Sequence, residues 1–375
     1  MFERYETNID SSDKDSLTTI ALNRLQEEKN TPGERIEALL KGDLLDRLPF
    51  QIIDNTSRLV GKKITDFFFN PMVRYQSLCA QIIRWGVPMT ETASRINSYI
   101  VGEELGAKLN YYEGEAPSTK EYIIKTTEEF EKIMVPDLIP LVEKDIWSIN
   151  NITDQFGDKL GIPCCFMYPP FSWVATYLCD ANKLYQDIYD QPEFVHRMCR
   201  FATDLELAII DKLTKTTECA FFMPGGFADL LSPQQYAEFN ITYMSELINE
   251  NPDCIFYLPV PGRFDQLNDL YASVKSHRNI INMGSSIGTH TPIKNEEELK
   301  EFCGILNSLD RPYQMAINQS TMCYSSPGEI INEVENLIRI GKKENMMFRT
   351  DTLDPLTPHE NIDALVWAVK KFGKN

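Results

Sequence analysis

The residues equipped to do chemistry stand in short polar or aromatic clusters, each after a short apolar run. Asp54-Asn55-Thr56-Ser57-Arg58 follows the run 49–53, and Glu91 and Arg95 sit at the end of the run 88–93. Tyr168, Phe171 and Trp173 crowd a proline-rich stretch after 162–167, and Gly225-Gly226-Phe227-Ala228-Asp229 follows 220–223. Pro259-Val260-Pro261-Gly262-Arg263, His290, Asn318-Gln319 and Arg349-Thr350-Asp351 complete the set. A carboxyl group held in apolar surroundings keeps its proton near neutral pH and can act as an acid, a role open to Asp54 and Glu91. Aromatic side chains in one loop can wall a pocket for an aromatic ligand, as Tyr168, Phe171 and Trp173 would do.

Each cluster has a plainer reading beside the chemical one. Asp54 can cap the following turn. Glu91 can pair with Arg58 or Arg95, the aromatic trio can be core, and His290 can be a solvated loop residue. Arg349 and Asp351 can pair with each other. Gly225 and Gly226 can serve a turn that needs positive φ.

Composition narrows the classes. Lys plus Arg number 37 against 55 Asp plus Glu, a formal charge of −18 over 375 residues. Such an acidic chain repels phosphate backbones and anionic lipid, so neither nucleic acid nor membrane is an expected partner. No apolar run approaches the roughly 18 residues of a membrane span. The opening MFERYETNIDSSDKDS is polar and lacks the apolar core of a signal peptide, and nine scattered cysteines fit reduced thiols, so a cytoplasmic protein is expected. Four histidines leave little material for a histidine-based metal site or triad.

The elements that must position these clusters follow from periodicity. Residues 1–16 read as a flexible acidic tail, and 17–375 as one domain. A helix is expected over 17–29. Thr31 caps a second that begins at Pro32 and runs to Gly42. Eight strand-like runs follow, at 49–53, 88–93, 162–167, 220–223, 255–258, 280–283, 313–317 and 346–348, with helical stripes between most of them. After Pro327 the stripe is Ile330, Ile331, Val334, Leu337 and Ile338; after Pro233 it is Tyr236, Phe239, Tyr243 and Leu247. Strands alternating with helices imply a parallel sheet, and eight such units predict a (β/α)8 TIM barrel with helices preceding it. Residues 107–125 read as an inserted β-hairpin. In a barrel, the clusters at the strand ends all fall on one rim.

Several segments resemble the uroporphyrinogen decarboxylase superfamily. These are PGERIEALLKGDLLDRLPF at 32–50, EELGAKL at 103–109, DLLSPQQYAEF at 229–239, SPGEIINEVENLIRIG at 326–341 and TPHENIDALVWAVKKFG at 357–373. That superfamily includes porphyrinogen decarboxylases and corrinoid-dependent methyltransferases of anaerobic metabolism. The resemblance implies the barrel, and its departures imply the branch. Asp54 stands where the decarboxylases carry the first of two carboxylate-binding arginines, and only Arg58 matches the second. The thiol-methylating members hold zinc on a His-x-Cys pair and a later Cys. Those positions here are Pro259, Pro261 and Asp351, so no zinc is expected. Cys164, Cys165 and Cys323 do not restore the pattern.

The branch that remains implies a methyltransferase that moves a methyl group from a small methylated donor to the Co(I) corrinoid of a separate corrinoid protein. An aryl methyl ether is the favoured donor, as in an O-demethylase. The corrinoid comes with that partner, because the chain lacks the Asp-x-His-x-x-Gly cobalamin signature. On this implication Asp54, Glu91 and Tyr168 are the expected leaving-group acids. Asn55, Arg58, Phe171, Trp173, Asn318, His290 and Asp351 are expected around the substrate, Asn318 because it aligns with an Asn at a family strand end. The glycine pair could then let backbone approach the corrin. Homodimerisation is left open. The alternative is a decarboxylase of a small or porphyrin-type carboxylic acid.

Overall fold

The computed structural model describes residues 14–52, 56–86, 96–112, 117–215, 218–259, 274–285, 295–309, 311–350, 353–354 and 356–375. The run 88–93, together with Asp54, Asn55, Glu91, Pro261, His290 and Asp351, lies outside them.

The first helix, Lys14–Gln26, begins inside the stretch expected as tail. Its buried residues Leu17, Ala21 and Leu25 pack with Tyr75, Leu78, Cys79 and Ile82 of the helix Pro71–Trp85. Apolar residues at helical spacing thus carry the helix past the polar opening. Thr31 caps the helix Pro32–Leu40 as the sequence predicts, accepting from Glu34 N at 3.1 Å while Glu34 accepts from Thr31 N at 2.6 Å.

Seven parallel strands form one sheet: β1 (Phe50–Gln51), β4 (Cys164–Phe166), β5 (Ala220–Phe222), β6 (Ile255–Pro259), β7 (Asn279–Ser285), β8 (Tyr313–Ile317) and β9 (Met346–Thr350). Between β1 and β4, in chain order, β2 (Lys108–Asn110) and β3 (Ser118–Glu121) pair antiparallel as the predicted hairpin. The order in the large sheet is β1-β9-β8-β7-β6-β5-β4, so the first strand lies beside the last. A wound barrel requires that order, and the strand expected between β1 and β4 is the one on residues 88–93.

The sheet is strongly curled. The Arg349 guanidinium on β9 lies 5.1 Å from the ring centre of Phe222 on β5, four strands away. In a flat sheet those strands would stand about 19 Å apart, beyond an arginine's reach. Alternate residues sort to the two faces. Cys164, Phe166, Ala220, Phe222, Ile255, Tyr257, Ile280 and Met347 fill the inside with Ile36 and Leu39, which close the amino end of the strands. Cys165, Phe221, Phe256 and Leu258 face outward under one part of the helical layer, and Met315, Ile317, Met346 and Phe348 under another. The stripes Tyr236, Phe239, Tyr243, Leu247 and Ile330, Val334, Leu337, Ile338 are buried, while Ile331 is half-buried.

Candidate active site

A row of aromatic rings runs across the inner face toward the carboxyl end of the strands. Tyr257 meets Phe222 at 6.4 Å between centroids, and Phe222 meets Phe166 at 6.1 Å. Phe166 meets Tyr168 edge-on at 5.0 Å and 89°, and Tyr168 meets Tyr177 at 6.1 Å. The row is a product of register. Phe166, Phe222 and Tyr257 are paired neighbours on β4, β5 and β6, so all three side chains leave the sheet on one face at one level. Tyr168, two residues beyond Phe166, keeps the same parity and ends the row half-exposed at the opening.

Beneath the opening lie polar groups. Arg349 is 3% exposed and crosses the interior to Phe222. Gln51 on β1 is in register with Arg349. Gln51 Oε1 accepts from Gln314 Nε2 at 3.3 Å, and Gln51 Nε2 is buried with no hydrogen-bond partner among the described residues. Sequence reasoning placed Arg349 only as a possible partner of Asp351. The missed signal was parity: Arg349 stands two residues from Met347, which faces the interior.

Of the described residues expected at the site, Tyr168 alone lies in this row. Phe171 and Trp173, expected to wall the pocket, are 0% and 1% exposed in the outer core. Phe171 packs against Tyr185, and Trp173 against Tyr177 and Phe201. The helix Pro170–Trp173 begins at the second of the two strand-end prolines and carries Phe171 and Trp173 into the outer core. Asn318 spends its carboxamide oxygen as the cap of the helix Gln319–Tyr324, accepting from Ser320 N at 2.8 Å. Arg58 donates to the Thr357 carbonyl at 2.7 Å, tying the turn after β1 to the approach of the last helix, His359–Phe372. His359 opens that helix on the carboxyl face. Burial and the neighbouring Arg58 and Arg84 push it down to about 4, so it is a neutral imidazole. Asp54, Asn55, Glu91, His290 and Asp351 lie outside the described residues.

The glycine pair has a local explanation. Gly226 has φ +61°, and a Cβ on Gly225 would collide with the Asp229 carboxylate. Ser172 Oγ holds the Gly225 carbonyl at 2.8 Å and Tyr185 the Phe227 carbonyl at 2.7 Å. Partial desolvation pushes the Asp229 carboxyl up to about 6, although the residue is exposed.

At the family's zinc positions, Pro259 ends β6 with a ring that cannot ligate. Cys164 faces inward and Cys165 outward, both fully buried, and Cys323 is half-buried in a short helix. Contact with the Cys219 thiol, together with burial, pushes Cys165 well up, away from a thiolate. At the opposite, amino end, a cleft of about 750 Å³ is lined by Gly33, Glu37, Lys159, Gly161, Glu218 and Arg278. No strand-end residue named above lines it.

The uroporphyrinogen decarboxylase (URO-D) family model matches residues 31–255, and the chain belongs to that family. A uroporphyrinogen decarboxylase of Hydrogenovibrio crunogenus is 21% identical over 155 residues, covering 40% of this chain and 43% of that protein. The match therefore spans less than half the length of that curated relative. A methyltransferase from Methanosarcina mazei superposes with a TM-score of 0.74 at 17% identity, over 92% of this chain and 99% of that one, and so shares the fold. No described helix is long and apolar enough to cross a membrane.

Proposed function

We propose that this protein is a methyltransferase that takes the methyl group of a small donor, an aryl methyl ether, and delivers it to a corrinoid carried by a separate protein. The observation that carries the reading is the row of rings from Tyr257 to Tyr168, which reaches the carboxyl end of a URO-D barrel-like sheet where Tyr168 is half-exposed. An aromatic donor stacks there with little polar surface left unpaired.

The corrinoid supplies Co(I), a nucleophile that no side chain matches. Among the described residues no histidine is placed to hold it. His196 is bound to Tyr243 and Glu238 on the helical layer, His277 precedes β7 at the amino end, and His359 is half-buried at the start of its helix. A partner-borne cofactor fits this. The exposed apolar residues on the carboxyl face fit it too: Leu230 at 77%, Tyr324 at 81% and Leu356 at 77% follow β5, β8 and β9.

The chain's own work is to hold the ether in line and assist the leaving oxygen. As the methyl–oxygen bond breaks, the electron pair stays on oxygen, and a proton from Tyr168, Asp54 or Glu91 neutralises it. No zinc is needed for this step, since no thiol is the acceptor.

The test combines the protein with a Co(I) corrinoid protein and a panel of methoxylated aromatics, methylamines and methanol. Loss of the Co(I) spectrum with matching release of phenol is the expected result; no reaction with any donor refutes the proposal. The second reading, decarboxylation of a carboxylic acid, is favoured by family membership. Arg58, its expected carboxylate group, is engaged by the Thr357 carbonyl. Carbon dioxide release from a porphyrinogen without any corrinoid would establish it.

A further inference from the structure

We infer that Tyr177 is a positioning residue for Tyr168, its hydroxyl donating to the phenolate that forms when Tyr168 gives up its proton. The inference rests on the methyl-transfer reading for Tyr168 as the leaving-group acid. As the ether bond breaks, the Tyr168 proton moves to the leaving oxygen, and the electron pair of its O–H bond stays on the phenolic oxygen. The Tyr177 O–H stabilises that charge and keeps its own proton. Tyr168, half-exposed, then regains a proton from water.

Tyr177 is fully buried, and its hydroxyl has no hydrogen-bond partner among the described residues. A buried hydroxyl without a partner is a cost that phenylalanine would avoid. A donor that is unpaired at rest and paired once charge develops acts on the reaction alone. The fold fixes where it stands. The Tyr177 ring meets the Tyr168 ring at 6.1 Å and 73°, and the Trp173 ring at 5.4 Å. It stands on a π-helical turn, Val174–Leu178, closed by Cys179 N donating to the Val174 carbonyl at 3.1 Å. Such widened turns are frequent at functional sites. The inserted hairpin and the segment after it cap the carbonyls that end this turn. The Thr119 hydroxyl donates to Thr176, Ile123 N to Tyr177 at 3.0 Å and Ile124 N to Leu178 at 2.8 Å. Gly102, on the helix Ile96–Glu104, gives the ring its room, since a Cβ there would lie 2.6 Å from it. The titratable groups around Tyr177 are Tyr168, Tyr99 and Glu103 of that helix, and Tyr111 of the hairpin, which is hydrogen-bonded to Glu103. Burial first, then Tyr168 ahead of the other three, pushes the Tyr177 phenol well up, so it keeps its proton as a donor.

The test compares Tyr177→Phe with the unaltered full-length protein. The ionisation of Tyr168 is read, in each, as the part of the alkaline tyrosinate absorbance that Tyr168→Phe removes. Tyr177→Phe should move that ionisation up by about one pH unit, a 10-fold weaker acid. It should slow methyl transfer by about 5- to 20-fold, and add nothing once Tyr168→Phe is in place. The melting temperature should stay or rise, because only an unpartnered hydroxyl is lost. A Tyr168 ionisation unmoved in Tyr177→Phe overturns the inference. So does a variant that melts lower or does not fold, since the hydroxyl would then have a structural partner. If the ionisation moves while Co(I) survives every donor, the coupling of the two phenols stands and the methyl-transfer reading falls. If Tyr177→Phe consumes Co(I) at the unaltered rate, the inference falls and the transfer stands.

Discussion

The two ends of the strand interior treat charge in opposite ways. At the amino end, buried charges are matched. Arg35 donates to Asp46 at 2.7 and 2.8 Å and to Glu28 at 3.0 Å, and Glu28 also accepts from Arg47 at 2.8 Å and Lys370 at 3.3 Å. Burial alone would push the Glu28 carboxyl up, but Arg47, Lys370 and Arg35 outweigh it and hold it at about 2. At the carboxyl end, partial desolvation pushes the exposed Asp229 carboxyl up to about 6, and the buried Arg349 guanidinium lies over an aromatic ring. The amino end is a cluster of ion pairs, while the carboxyl end gathers aromatic rings around a guanidinium and carries a carboxyl shifted toward its neutral form.

The largest break in this contrast should come from Arg35→Met. It leaves Glu28 and Asp46 half-buried without their shared cation, and urea unfolding should show a loss of about 3–5 kcal/mol. No group of the ring row is touched by this change.

Acid titrates the same end. The folded-state pKa of Glu28 lies below its unfolded value of 4.5, so its stabilisation is present above about 4.5 and is lost as pH falls toward 2. The gross effect is about 3 kcal/mol. Burial holds Lys370 down at about 8, a cost to the charged cluster that offsets part of this gain. Unfolding measured from pH 6 to pH 2 should therefore show a fall that Glu28→Gln flattens. A slope unchanged in that variant would assign the acid sensitivity elsewhere.

Tyr168→Phe sharpens the contrast from the other side. It removes the hydroxyl at the opening and keeps the ring contacts with Phe166 and Tyr177. Methyl transfer is expected to slow by about 10- to 100-fold, with the melting temperature little changed. An unaltered rate would remove Tyr168 from the leaving-group acids.

The smallest effect is expected at Asp229. Its folded pKa is raised above its unfolded value, so the fold is penalised as pH rises through the interval from 3.8 to about 6. Because the residue is exposed and screened by solvent, Asp229→Asn should stabilise by less than about 1 kcal/mol at pH 8. It should do nothing at pH 3. A loss of stability at pH 8 would show that the carboxylate form is the one the loop needs.

Much of the architecture was legible in the residues themselves. Strand runs and helix stripes announce themselves through periodicities of 2 and 3.6, which depend only on local backbone geometry. The cap at Thr31, the hairpin within 107–125 and seven of the eight strand runs follow from such local signals. The lack of ligand atoms at Pro259 and Pro261 is likewise a property of residue type alone. What the sequence could not set was which residues of a strand-end cluster face inward. Phe171 and Trp173 lie only three and five positions beyond Tyr168, yet the helix starting at Pro170 carries them into the outer core. Arg349 becomes a lumen residue because the sheet curls until β9 faces β5, bringing its guanidinium to Phe222. Curl is the sum of small twists over many strands, and no window of sequence contains it. Residue type thus determined what chemistry was available, while tertiary structure decided which of those groups meet, since meeting depends on strand register and on the curl that brings together segments more than a hundred residues apart.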